Sequence, residues 1–244
     1  MKIVYLHQYF NTPDTTGSTR SFEMARRWVE AGHEVHAAIA QHVDWIEVGT
    51  SLIKAYGMDG VRAVVEAAAG VPVLADLKTA DDARFEFTLA YDAGAASATV
   101  LGLAADATLD TAVRVTAERG REAVVDLMGL VEHRRAELAA RLPAEVVLAA
   151  HVGKDVQTTG LRPESLLGPW ADGRRLALAG GLTAADLRQL GQFADLRVIV
   201  GSAVTKADDP LTAVFALRAA ADQPDNIDKE KSSLLLLHTP PRPT

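Results

Sequence analysis

The densest chemistry in the chain lies in Asp76-Leu77-Lys78-Thr79-Ala80-Asp81, directly after the apolar run PVLADL. If that run is a β-strand, Asp76 and Lys78 are two residues apart and share one face at its end. Such a pair is either a solvated charge cluster or, in a pocket, a device that keeps a carboxylate ionised and an ammonium charged beside a developing anion. Glu47 stands near the end of an earlier run, VDWIEV. Glu47 and Asp76 on neighbouring strand ends would form a hard-oxygen site suited to Mg²⁺, whose other positions are filled by substrate and water. The alternative for Glu47 is a solvated loop carboxylate. His151 follows EVVLAA, with Asp155 and Gln157 close behind. A lone histidine is often only structural, but at a strand end facing such a site imidazole can exchange protons near neutrality. Gly180-Gly181 and Gly201-Ser202 end two further runs, LALA and VIV. Each pair alone is ordinary turn chemistry; together they suit a phosphate cradled by backbone N–H groups.

These residues need a scaffold that gathers strand ends. Short β-branched runs alternate with Ala-rich segments of helical period, the pattern of βα units and a parallel sheet. The expected strands are Val43 to Val48, Pro72 to Leu77, Ser97 to Leu101, Glu122 to Leu127, Glu145 to Ala150, Arg175 to Ala179 and Leu196 to Val200. Between them, Val61, Val64, Val65 and Ala68 share a helical face, and Thr183 through Asp186 reads as a capped helix start. A (β/α)8 TIM barrel requires one more strand. Lys2 to Tyr9 (KIVYLHQY) is the stronger candidate, followed by a polar turn and an amphipathic helix from about Ser18 to Ala31. The competing segment is Glu34 to Ala40, unless AIAQHV is simply the last turn of a helix.

Composition narrows the function. The 244 residues carry 32 acidic against 25 basic side chains and no cysteine. That balance argues against nucleic acid as a partner, and the missing thiols exclude disulfides, thiolate metal sites and cysteine nucleophiles. No apolar run is long enough to span a membrane and no signal-peptide pattern opens the chain, so a cytoplasmic protein is expected. The mixture of Asp, Lys, Ser and Pro from Asp222 to Thr244 reads as a disordered tail beyond a barrel of residues 1–221.

From Val43 to about Leu217 the chain resembles the 3-hexulose-6-phosphate synthase branch of the orotidine 5'-monophosphate decarboxylase superfamily. The segments VDWIEVGTSLIKAYG, VLADLKTADD, TVLG, VVDLMG, AAHVGKDVQTTG, LALAGG and VIVGSAVTKADDP carry the likeness, in order and spacing. It implies a compact TIM barrel and a homodimeric, Mg²⁺-dependent lyase that condenses formaldehyde with D-ribulose 5-phosphate, a phosphorylated pentulose, through a metal-stabilised enediolate. It also implies roles: Glu47 and Asp76 for metal, Lys78 beside the reacting carbons, His151 for proton transfer, Asp81 reaching into the partner's site, and the two Gly loops for phosphate. Relatives that decarboxylate 3-keto-L-gulonate 6-phosphate usually carry arginines where this chain has Gly153-Lys154 and Ser202, which favours aldol chemistry over decarboxylation.

Residues 1–36 break the pattern. They resemble the opening βα unit of a family 4 glycosyltransferase, with the likeness changing near residue 37, yet nothing else of such an enzyme follows. The substrate-contacting Asp expected at the end of the first strand has no match. The expectation is that this segment completes the barrel as an atypical first unit, with His7 or Gln8 near the missing Asp. The Gly17-Ser18-Thr19 turn is either an ordinary helix cap or an anion site. If the replacement fits badly, the chain is instead a catalytically impaired sugar-phosphate binder.

Overall fold

A computed structural model describes residues 2–7, 39–190, 193 and 195–222. Eight parallel strands close on themselves in sequence order: β1 (Lys2–His7), β2 (Trp45–Val48), β3 (Val73–Thr79), β4 (Ser97–Leu101), β5 (Glu122–Asp126), β6 (Val147–His151), β7 (Leu176–Ala179) and β8 (Leu196–Val200). β1 pairs with β2 on one side and β8 on the other, so the N-terminal run supplies the strand that closes the barrel. The competing strand is not formed where it can be seen: Ile39 and Ala40 are helical and buried. The expected helix from Ser18 to Ala31, the Gly17 turn and the tail beyond Asp222 lie outside the described residues.

Helices α1 (Thr50–Ala67), α2 (Ala83–Asp92), α3 (Asp106–Glu118), α4 (Glu132–Arg141), α5 (Ala184–Gln189), α6 (Ser202–Thr205) and α7 (Pro210–Asp222) follow their strands. The expected apolar face of α1 packs inward through Val61, with Val64 and Val65 half-buried. At α5, the Asp186 carboxylate accepts from the Thr183 backbone N–H and hydroxyl, both at 2.7 Å, a capping box that fixes the helix start. Between β6 and β7 only three short 3-10 turns are present, Gln157–Thr159, Pro163–Leu166 and Pro169–Ala171.

Two cores result from the period-2 alternation of the strands. Outward residues such as Ala75, Val100, Val125, Leu148, Leu178 and Val198 pack beneath the helices with Phe87, Leu109 and Leu187. Inward residues Leu74, Val124, Val147, Ala149, Ala177, Ala179 and Ile199 fill the barrel axis, with Trp45 against them. Near the N-terminal ends of the strands the Arg197 guanidinium lies 4.2 Å from the centre of the Trp45 ring and makes two bonds to the Glu122 carboxylate, at 2.5 and 2.6 Å. Paired and stacked in this way, the buried arginine plugs that end.

Candidate active site

The opposite end of the barrel collects the charge. Glu47, Asp76, Asp126 and His151 each stand two residues beyond an inner-layer residue, respectively Trp45, Leu74, Val124 and Ala149, and therefore point along the same axis at the strand C-termini. They line one cavity of about 150 Å³. Glu47 and Asp76 are each 5% exposed and Asp126 is 3% exposed, so solvent does little to screen them.

β3 does not stay a regular strand as it reaches this cavity. Its pairing with β4 shifts register between Ala75 and Thr79, and Lys78 adopts a left-handed φ of 51°. A β-bulge re-aims a side chain at the cost of local strain, and here that side chain is the ammonium. Lys78 Nζ donates to Asp76 at 2.7 and 2.9 Å and lies 3.0 Å from Asp126 Oδ2. Its backbone N–H donates to Thr99 Oγ1 at 2.8 Å, and that hydroxyl donates to Asp76 Oδ1 at 2.9 Å. Thr50 adds a hydroxyl to Asp76 Oδ2 at 2.7 Å.

Asp126 is the hub that motif reading did not single out. Its Oδ2 faces both Lys78 and His151 Nδ1, the latter at 2.9 Å, and its Oδ1 accepts the Met128 N–H at 2.9 Å. Burial pushes the Asp126 carboxyl up, but His151, Lys78 and the Met128 N–H outweigh it and hold the pKa at about 2. An ionised carboxylate only accepts, so Nδ1 of His151 carries the proton and Nε2 is the basic nitrogen of a ring that lines the cavity. The signal for Asp126 was present: it has the same inward parity and strand-end position as Asp76. Thr50 and Thr99 gave no such signal.

Burial draws the Lys78 ammonium down, yet Asp76 and Asp126 beside it more than reverse this and leave it raised. Glu47 moves well above the usual carboxylate range, first through burial and then through the charge of Asp76, with Lys78 opposing. Among the described residues no group of three or more His, Asp or Glu side chains forms a metal centre. Buried and within the field of the Asp76 carboxylate, Glu47 fits a hard cation that takes two protein oxygens. Asp76 accepts bonds from Thr50, Thr99 and Lys78, so it would hold such a cation in exchange for one of its Lys78 bonds, with Asp126 still beside the ammonium.

Gly180 and Gly181 line the cavity with φ of 121° and 70°. A Cβ on Gly180 would stand 2.6 Å from the Val152 carbonyl oxygen, which only glycine avoids. Gly201 and Ser202, at the start of α6, line the same cavity. Asp81 does not join the cluster; it is exposed and accepts the Asp82 N–H at 2.8 Å. Asp155 is also exposed. Leu6, not His7, stands beside Glu47 in the register, and His7 stands beside Val48; Gln8 lies outside the described residues.

Barrel and cluster define the class: a (β/α)8 enzyme of the aldolase/decarboxylase kind. A sequence model of the orotidine 5'-phosphate decarboxylase / HUMPS family matches residues 29–217, and the chain belongs to that family. The match begins at residue 29 rather than near 37, and the glycosyltransferase-like opening segment expected from the sequence is not shown. A 3-hexulose-6-phosphate synthase of Mycobacterium gastri is 36% identical over 194 residues, covering 78% of this chain and 93% of the relative. One from Staphylococcus aureus is 31% identical over 197 residues, covering 79% and 93%. The crystal structure of 3-hexulose-6-phosphate synthase from Salmonella typhimurium superposes with a TM-score of 0.75 at 28% identity, covering 91% of this chain and 98% of that one.

Proposed function

We propose that the chain is a Mg²⁺-dependent lyase of the 3-hexulose-6-phosphate synthase type, condensing formaldehyde with D-ribulose 5-phosphate. The observation that carries this reading is the chain of contacts Asp76–Lys78–Asp126–His151 at the open end of the barrel. A charged Lys78 is no nucleophile, so a Schiff-base route is unavailable to it. It serves instead as a fixed positive charge beside the oxygen on which negative charge develops when the substrate loses a carbon-bound proton. Nε2 of His151 takes that proton from carbon 1 of the pentulose. The electron pair left on carbon 1 forms the new bond to the formaldehyde carbon, and the formaldehyde oxygen takes up a proton returned by His151. Mg²⁺ held by Glu47 and Asp76 would supply Lewis-acid polarisation of substrate oxygens. The glycine loops after β7 and β8 suit the substrate phosphate.

A homodimer belongs to the same reading. Asp81 is exposed next to α2, whose Phe85 and Leu89 are 59% and 37% exposed, and this apolar surface supports docking of a second copy there. Incubating the purified protein with ribulose 5-phosphate and formaldehyde, with and without chelator, tests the function. Formaldehyde loss that requires Mg²⁺ is the expected result. CO2 release from 3-keto-L-gulonate 6-phosphate without formaldehyde consumption would overturn it in favour of a decarboxylase.

A further inference from the structure

At the deep end of the cavity the one ammonium, Lys78, is already shared between the carboxylates of Asp76 and Asp126, with the acidic Glu47 beside them. A phosphate dianion entering such a cavity meets like charge, and Lys78 is not free to offset it. The glycine loops supply dipoles but no formal charge. Two further lysines line the same cavity, Lys154 after β6 and Lys206 after β8, and it is Lys206 that follows the Gly201-Ser202 turn, one helical turn beyond Ser202, its backbone N–H donating to the Ser202 carbonyl at 3.1 Å. Lys206 is exposed and, among the described residues, forms no ion pair.

We infer that Lys206 is the residue that selects a phosphorylated substrate, its ammonium pairing with the phosphate dianion while the Gly201-Ser202 turn holds the phosphate oxygens. The assignment rests on the proposed function and deepens it, because it separates two charge zones. The inner zone is anionic and suits a cation; the outer zone is cationic and suits the phosphate. An exposed, flexible lysine acts there as a point charge, so its contribution is sensitive to salt and tolerant of arginine.

The test compares wild type, Lys206→Met and Lys206→Arg by calorimetry with ribulose 5-phosphate, with inorganic phosphate and with unphosphorylated ribulose, after checking that the unliganded melting temperatures agree. Loss of one charge-assisted contact should weaken sugar-phosphate binding about 10- to 50-fold in Lys206→Met, largely as KM with kcat little changed. Lys206→Arg should restore most of it, and the salt dependence of binding should flatten only in the methionine variant. Equal binding of ribulose 5-phosphate by wild type and Lys206→Met would overturn the inference while leaving the proposed reaction intact. If wild type binds inorganic phosphate but does not turn over the sugar phosphate, and Lys206→Met does not bind phosphate, the inference stands and the proposed reaction falls. No phosphate or sugar-phosphate binding by wild type overturns both.

Discussion

At the residue scale, one carboxylate governs two functional groups. Asp126 fixes the His151 tautomer and anchors one side of Lys78, so Asp126→Asn should lower kcat by about a hundredfold through misplacement while changing KM little, measured in steady-state assays. The same residue predicts an acid limb in stability. Its folded pKa of about 2 lies below the ordinary value of 3.8, so its contribution is complete above about pH 4 and disappears as pH falls through about 2. The shift corresponds to about 2 kcal/mol, and urea melts across that window should be flatter for Asp126→Asn. Glu47 gives a third prediction: Mg²⁺ should raise the melting temperature of the wild type and leave that of Glu47→Gln unchanged, because the amide removes one of two hard ligands. Asp76, Lys78, Glu47 and His151 could be singled out in the sequence because strand-end charges are costly enough to be informative. Asp126 obeyed the same parity rule and was passed over, and the hydroxyls of Thr50 and Thr99 were invisible because threonine in a strand or helix end needs no functional reason.

At the scale of elements, the strands could be located to within about two residues at each boundary, as expected where hydrophobic period is strong. What alternation could not reveal was the irregularity at the end of β3. A flat strand places Asp76 and Lys78 on one face; the observed register shift and the left-handed Lys78 bring the ammonium against both Asp76 and Asp126. A lysine held at positive φ costs about 1 kcal/mol that a glycine would not. Lys78→Gly should therefore melt higher than Lys78→Ala, although both lose activity, and equal melting temperatures would mean that the backbone relaxes freely there. The opposite holds after β7, where Gly180→Ala drives a methyl group into the Val152 carbonyl and should destabilise the fold by several kcal/mol.

For the whole molecule, closure was the hardest step to read, because the first strand lacks the Asp that the family resemblance implies at its end. β1 nonetheless pairs on both edges, and a parallel barrel accepts any strand of adequate length and apolar character there. The register shows why the substrate-contacting Asp could not be relocated from sequence: a shift of one residue exchanges the two faces, and Leu6 falls beside Glu47. The dimer can be tested at this scale by complementation. Chains bearing Asp81→Ala and His151→Ala, each inactive, should regain about a quarter of wild-type activity when co-expressed, since random pairing leaves one intact site in half the dimers. Failure to regain any activity would place Asp81 outside the reaction.

The plug of Trp45, Arg197 and Glu122 bears on traffic. With that end filled, the reactants of the proposed condensation would share one doorway at the opposite end, and the bulkier sugar ester, once seated, would narrow it. On that reading a one-carbon reactant should pass more readily than a longer aldehyde. Chain length of the acceptor should therefore be rationed by access as well as by chemistry.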